Sequence, residues 1–117
     1  SKNRTEPFNG TCMVYSIPKT PGEHTAKYQF DFIVGDEGWW KDAITGADIF
    51  EEEVYLITYN RVFKLNIADL NGKTIFESIF ERTTQKESII VIDKNTIMIA
   101  DEKQKFVGGG NLYKMKI

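Results

Sequence analysis

The chain has 117 residues, room for one modest domain, and its 41% hydrophobic and 27% charged residues fit a folded globular protein without a disorder signature. Fifteen basic against seventeen acidic residues leave a net charge of −2, which argues against a nucleic-acid partner. No apolar run approaches the roughly 18 residues that span a membrane. The single cysteine, Cys12, excludes an intrachain disulfide framework and a multi-cysteine zinc site. The single histidine, His24, lies in a Pro/Gly/Thr-rich turn, so neither a Cys–His nor a Ser–His–Asp arrangement is expected.

Residues 1–10 are polar, with Pro7 and Gly10, and read as a lead-in to a single β domain over 11–117. They carry no leader pattern, which a processed chain would have lost. Asn9-Gly10-Thr11 matches a glycosylation sequon but reads as a turn. Residues 11–17 (TCMVYSI) form a β-branched and aromatic strand with Cys12 as a small buried residue, and Pro18 and Pro21-Gly22 end it. Residues 26–34 (AKYQFDFIV) alternate, with Tyr28, Phe30 and Phe32 on one face and Lys27, Gln29 and Asp31 on the other.

Residues 35–42 (GDEGWWKD) read as a loop. On an extended chain Trp39 and Trp40 face opposite ways, so one indole is expected near the surface. Residues 43–49 are short and small-residue-rich, and Glu51-Glu52-Glu53 makes a charged turn. Residues 54–59 (VYLITY) are apolar on both faces, as in a central strand. Asn60-Arg61 reads as a hairpin connection into 62–67 (VFKLNI), and Asn71-Gly72 as a second hairpin signal. Residues 74–81 (TIFESIFE) fit a strand or a helical face, and the surrounding β pattern favours a strand. Three more strands occupy 87–92, 96–100 and 112–117, with a turn at 93–95 and a long triple-glycine loop over 101–111. That loop lacks P-loop spacing and a helix after it, so it is a flexible crossing.

Three segments share an aliphatic–aromatic–polar–aliphatic order: Val14-Tyr15-Ser16-Ile17, Val62-Phe63-Lys64-Leu65 and Leu112-Tyr113-Lys114-Met115. A period of roughly 40 to 50 residues carrying four strands is the mark of a β-propeller blade. The expected fold is all-β: antiparallel four-stranded blade-like sheets over about 11–34, 43–81 and 87–117, a partial propeller of little more than two blades. The residues Thr45-Gly46-Ala47-Asp48-Ile49, Thr58-Tyr59, Gln85-Lys86-Glu87-Ser88-Ile89 and Leu112-Tyr113-Lys114-Met115 resemble bacterial secreted propellers of the TolB-like/WD40-like and phytase-esterase-like kind. The resemblance implies a secreted or periplasmic setting and ligands on one loop face near the axis. Closure takes at least four blades, so self-association or further blades are also expected.

In this arrangement the loops 35–42, 60–61, 82–86 and 101–111 gather on one face. They offer Trp39, Trp40, Lys41, Asp42, Arg61, Gln85, Asp101, Glu102 and Lys103 as candidate ligand-binding residues. Paired aromatics among charges suit a protein or carbohydrate ligand, or alternatively cap the core edge and a subunit contact. Asp48 and Glu87 on inner strands are candidate ligands for a divalent cation such as calcium, though two acids alone are too few for a calcium cage. Asp48 bonding to neighbouring backbone amides is the other reading. The expected function is a binding or interaction module with no catalytic residues. The alternatives are part of a metal-dependent phytase-like or esterase-like hydrolase and a purely structural self-associating β domain.

Overall fold

The computed structural model describes residues 6–69, 73–106 and 108–117. The Asn71-Gly72 hairpin signal lies outside them. The described residues form three antiparallel sheets in chain order. Sheet 1 pairs β1 (Thr11–Ser16) with β2 (Lys27–Ile33). Sheet 2 is a meander of β3 (Gly46–Phe50), β4 (Glu53–Ile57), β5 (Arg61–Asn66) and β6 (Thr74–Ile79). Sheet 3 orders β7 (Lys86–Asp93), β8 (Thr96–Asp101) and β9 (Leu112–Lys116). One short helix, α1 (Trp39–Asp42), links sheets 1 and 2. The ambiguous segment at 74–81 is a strand over Thr74–Ile79.

Sheet 2 has its central strands, β4 and β5, buried on both faces, as the two-sided apolar pattern of β4 requires. Its Leu56, Phe63 and Leu65 pack on Phe32 and Val34, and the Phe32 and Phe63 rings meet edge to face at 5.3 Å. Its Tyr55, Ile57 and Val62 pack on Ile89, Val91, Ile97 and Ile99 of sheet 3. Each such side chain contributes on the order of 1.5–3 kcal/mol by leaving water, so these two joins hold the stack together.

The small residues of β3 reflect its close approach to β7. A Cβ on Gly46 would lie 3.1 Å from Ile57 Cγ1 and 3.4 Å from the Glu87 carbonyl oxygen. Asp48 Oδ2 accepts the Val91 N–H at 2.7 Å, and Thr45 Oγ1 donates to the Lys86 carbonyl. Polar groups thereby tie sheet 2 to sheet 3 along their facing edge strands.

Three expectations are corrected. The stretch 35–42 is not wholly a loop: Trp39–Asp42 turn once as α1, with the N–H groups of Lys41 and Asp42 donating to the Gly38 carbonyl. Gly38 has φ 104, which a side chain would disfavour. The alternation of 26–34 also breaks. A bulge at Val14/Tyr15 pairs Tyr15 with Tyr28, and their rings contact edge to face at 5.8 Å. Tyr28 is therefore exposed on the side of Asp31, away from Phe30 and Phe32, because an extra residue in one strand reverses the facing of the side chains beyond it. The connection after β4 is residues 58–60 rather than Asn60-Arg61. Thr58 Oγ1 accepts the N–H groups of Asn60 and Arg61 at 3.3 and 3.0 Å, a side-chain-supported turn.

Candidate functional site

The connections 34–45, 58–60 and 80–85 and residues 102–106 and 108–111 come together at one end of the stack. Phe80 N–H donates to the Asn60 carbonyl, and Glu102 N–H to the Gln85 carbonyl. Trp40 lies edge to face with Tyr59 at 5.0 Å and with Trp39 at 5.6 Å. The two indoles are neighbours because they sit on a helical turn, where successive side chains diverge by about 100° rather than the 180° of a strand. Tyr59 is buried and its hydroxyl donates to Glu87 Oε1 at 2.9 Å. Trp40, the middle member of this aromatic row, remains 38% exposed.

The helical turn is clamped from below. Asp42 is buried, accepts the Glu37 N–H through Oδ2 at 2.7 Å, and pairs with the Arg61 guanidinium through Oδ1. Arg61 also reaches Glu77 at 3.1 Å and lies over the Phe63 ring at 5.4 Å. A Cβ on Gly35 would sit 2.5 Å from Arg61 Nη2 and 2.7 Å from Asp42 Oδ2, so a side chain there would have to displace this pair. Lys41 pairs with Glu37 at 2.8 Å on the surface, where the link is weak.

A second buried cluster ties the loops of sheet 3. Asp101 accepts Thr84 Oγ1 at 2.7 Å, Tyr113 Oη at 2.9 Å and the Asn111 N–H at 2.8 Å. Burial alone would raise its carboxyl pKa; these three donors and the Lys86 charge outweigh burial and hold it below the ordinary value. Lys86 Nζ donates to the Tyr59 carbonyl at 3.0 Å, the Arg82 carbonyl at 2.6 Å and Thr84 Oγ1 at 3.0 Å, and sits 4.7 Å from the centre of the Phe80 ring. Burial lowers its pKa against the raising effect of Asp101. Beside this cluster a groove of about 320 Å³ runs between Phe80, Arg82, Lys86, Ile99, Tyr113 and Met115.

The structure thus divides the candidate residues. Trp39 and Trp40 form the partly exposed aromatic surface. Lys41 flanks it. Asp42, Arg61 and Asp101 are engaged in holding the loops. Gln85 is half-buried and contributes its carbonyl to the loop pairing, while Glu102 and Lys103 are exposed beyond it. Lys86, Thr84, Tyr59 and Tyr113 belong to the same end, although their residue types and spacing do not mark them as site residues. A lysine opening an apolar strand is the one available signal for Lys86.

Asp48 uses both carboxylate oxygens on backbone N–H groups, of Val91 and Ile49. Glu87 takes the Tyr59 hydroxyl. Among the described residues, no three His, Cys, Asp or Glu side chains are grouped to hold a metal ion. The pair Asp48 and Glu87 does not fit a hard cation, which takes about six or more oxygen ligands. Cys12 faces the core between sheets 1 and 2, where burial raises its thiol pKa, and His24 Nε2 bonds locally to the Thr20 carbonyl oxygen at 2.7 Å. Among the described residues no helix is long and apolar enough to cross a membrane. No family model, no curated protein and no solved structure matches the chain.

Proposed function

We propose that this chain is a portion of a β-propeller and acts as a binding module for a protein or carbohydrate, with Trp40 as its principal contact. The supporting observation is the row Trp39–Trp40–Tyr59, whose central indole is exposed while the helical turn that carries it is clamped by the Asp42–Arg61 pair. An aromatic surface that is already rigid loses little conformational freedom on binding, and a π-face suits a sugar ring or an apolar side chain. The propeller reading is supported by three antiparallel sheets stacked in chain order and by the contact between the edge strands β3 and β7. A secreted or periplasmic setting accompanies this reading on the strength of the resemblance alone. The hydrolase alternative is disfavoured, because Asp48 is spent on backbone amides.

The test is a titration of intrinsic tryptophan fluorescence with soluble oligosaccharides and, separately, with a peptide library. One of the two sets shifts the wild-type signal. Calorimetry with the best binder then shows at least about tenfold weaker binding for Trp40→Ala and partial retention for Trp40→Phe, as expected for a hot-spot aromatic. Binding by Trp40→Ala equal to wild type, or no response to either set, overturns the reading.

A further inference from the structure

The two ends of the stack present apolar sheet faces that match each other. On the outer face of sheet 1, Met13, Tyr15, Tyr28 and Ile33 are 60, 49, 51 and 68% exposed, with Asp31 among them. On the outer face of sheet 3, Ile90, Ile92 and Leu112 are 62, 44 and 66% exposed, with Lys114 and Lys116 beside them. Scattered apolar residues are ordinary on a surface; contiguous groups on both outer faces of a stack mark interaction sites.

The joins inside the chain show how these faces pair. Val14, Val62 and Leu112 each open the shared aliphatic–aromatic–polar–aliphatic pattern, on β1, β5 and β9. Val14 faces sheet 2, and Val62 faces sheet 3. Leu112 faces outward from sheet 3 and is exposed. Likewise Phe63 of sheet 2 packs back on sheet 1, whereas Tyr15, its counterpart, faces outward from sheet 1. Continuing the same stacking step places Leu112 of one molecule over Tyr15 of another. The charges agree: Asp31 stands on one face, and on the other the two lysines Lys114 and Lys116 outnumber the one carboxylate beside them, Asp93.

We infer that a second copy of this chain docks head to tail, the outer face of sheet 3 on the outer face of sheet 1. The contact is heterologous, so it propagates or closes into a ring. It rests on the sheet faces and on the repeated strand pattern of the propeller reading, and does not depend on Trp40.

Light scattering over a concentration series tests it, with circular dichroism confirming that each variant is folded. Wild type gives a mass at least twice the 13.5 kDa of one chain. Tyr15→Lys blocks one face and Leu112→Lys the other, and each alone is monomeric. Their equimolar mixture regains a one-to-one complex, because each variant retains one intact face. Asp31→Lys weakens association about tenfold or more, and a Lys114→Glu/Lys116→Glu partner restores it. A wild-type chain that stays at 13.5 kDa at every concentration overturns the inference and assigns these faces to further sheets of a longer polypeptide. A mixture of the two face variants that stays monomeric, or single variants that associate like wild type, also overturns it.

Discussion

Asp101 and Gly35 show how single residues set the loop end of the molecule. The lowered carboxyl pKa of Asp101 means that the folded state binds a proton less readily than the unfolded chain. Its contribution is therefore complete above the unfolded value of about 4 and is lost as pH falls through the lower folded value. Glu53 and Asp93 are shifted the same way and share this acid limb. Asp101→Asn is expected to lower stability at pH 7 by about 1–3 kcal/mol, by weakening three hydrogen bonds, one buried and two part-buried. Its melting temperature should also fall less steeply than wild type between pH 5 and 2, roughly the range in which carboxylates titrate. Thermal melts across that range check both. Gly35→Ala forces a methyl group into the Asp42–Arg61 pair and is expected to cost about 1–3 kcal/mol in urea titrations.

At the scale of the strands, burial tracks the alternation of side chains with one informative exception. β4 is apolar on both faces and fully enclosed at Tyr55 and Ile57, whereas β6 alternates half-buried with exposed residues. Ile57→Ala leaves a cavity between sheets 2 and 3 and is expected to lose about 2–5 kcal/mol. Ile75→Ala on the exposed face of β6 should stay within about 0.5 kcal/mol of wild type. Guanidinium denaturation of the two variants side by side separates these magnitudes. The turn end opposite Trp40 is more than a set of solvated charges. Tyr55 Oη donates to Glu53 at 2.8 Å, and Lys64 reaches both Glu53 at 3.2 Å and the Lys94 carbonyl at 2.9 Å. Burial would raise the Glu53 pKa, but the bonds from Tyr55 and Lys64 and the nearby lysine charges hold it low.

For the molecule as a whole, the central sheet couples its neighbours. Both hydrophobic clusters draw on β4 and β5, one cluster from each face. Sheet 3 therefore does not detach without exposing the face that β4 also needs. Asp48→Ala removes the acceptor of the Val91 N–H between sheets 2 and 3 and is expected to lower the unfolding free energy by about 1–2 kcal/mol in a single transition. Separate fluorescence and far-ultraviolet transitions would show instead that the sheets unfold independently. The same stacking that buries both faces of β4 and β5 leaves one apolar face on each of sheets 1 and 3 outward.

The strands, their order and the double burial of β4 were legible in the amino-acid sequence, because period-two patterning and turn residues act over a few neighbouring positions. Val62 and Lys64 facing opposite to Phe63 and Leu65 is such a local consequence, and the strand pairing bears it out. The tertiary structure alone decided how the charged residues are spent. Thr84 meets Asp101 across 17 positions and Thr45 meets Lys86 across 41, distances over which no local pattern reports a partner. It also decided the facing of Tyr28, since a bulge needs both strands, and the adjacency of Trp39 and Trp40, since one helical turn held by Asp42 and Arg61 replaced an extended loop. Local periodicity specifies which residues face inward together; only the meeting of distant loops specifies what a polar group bonds to.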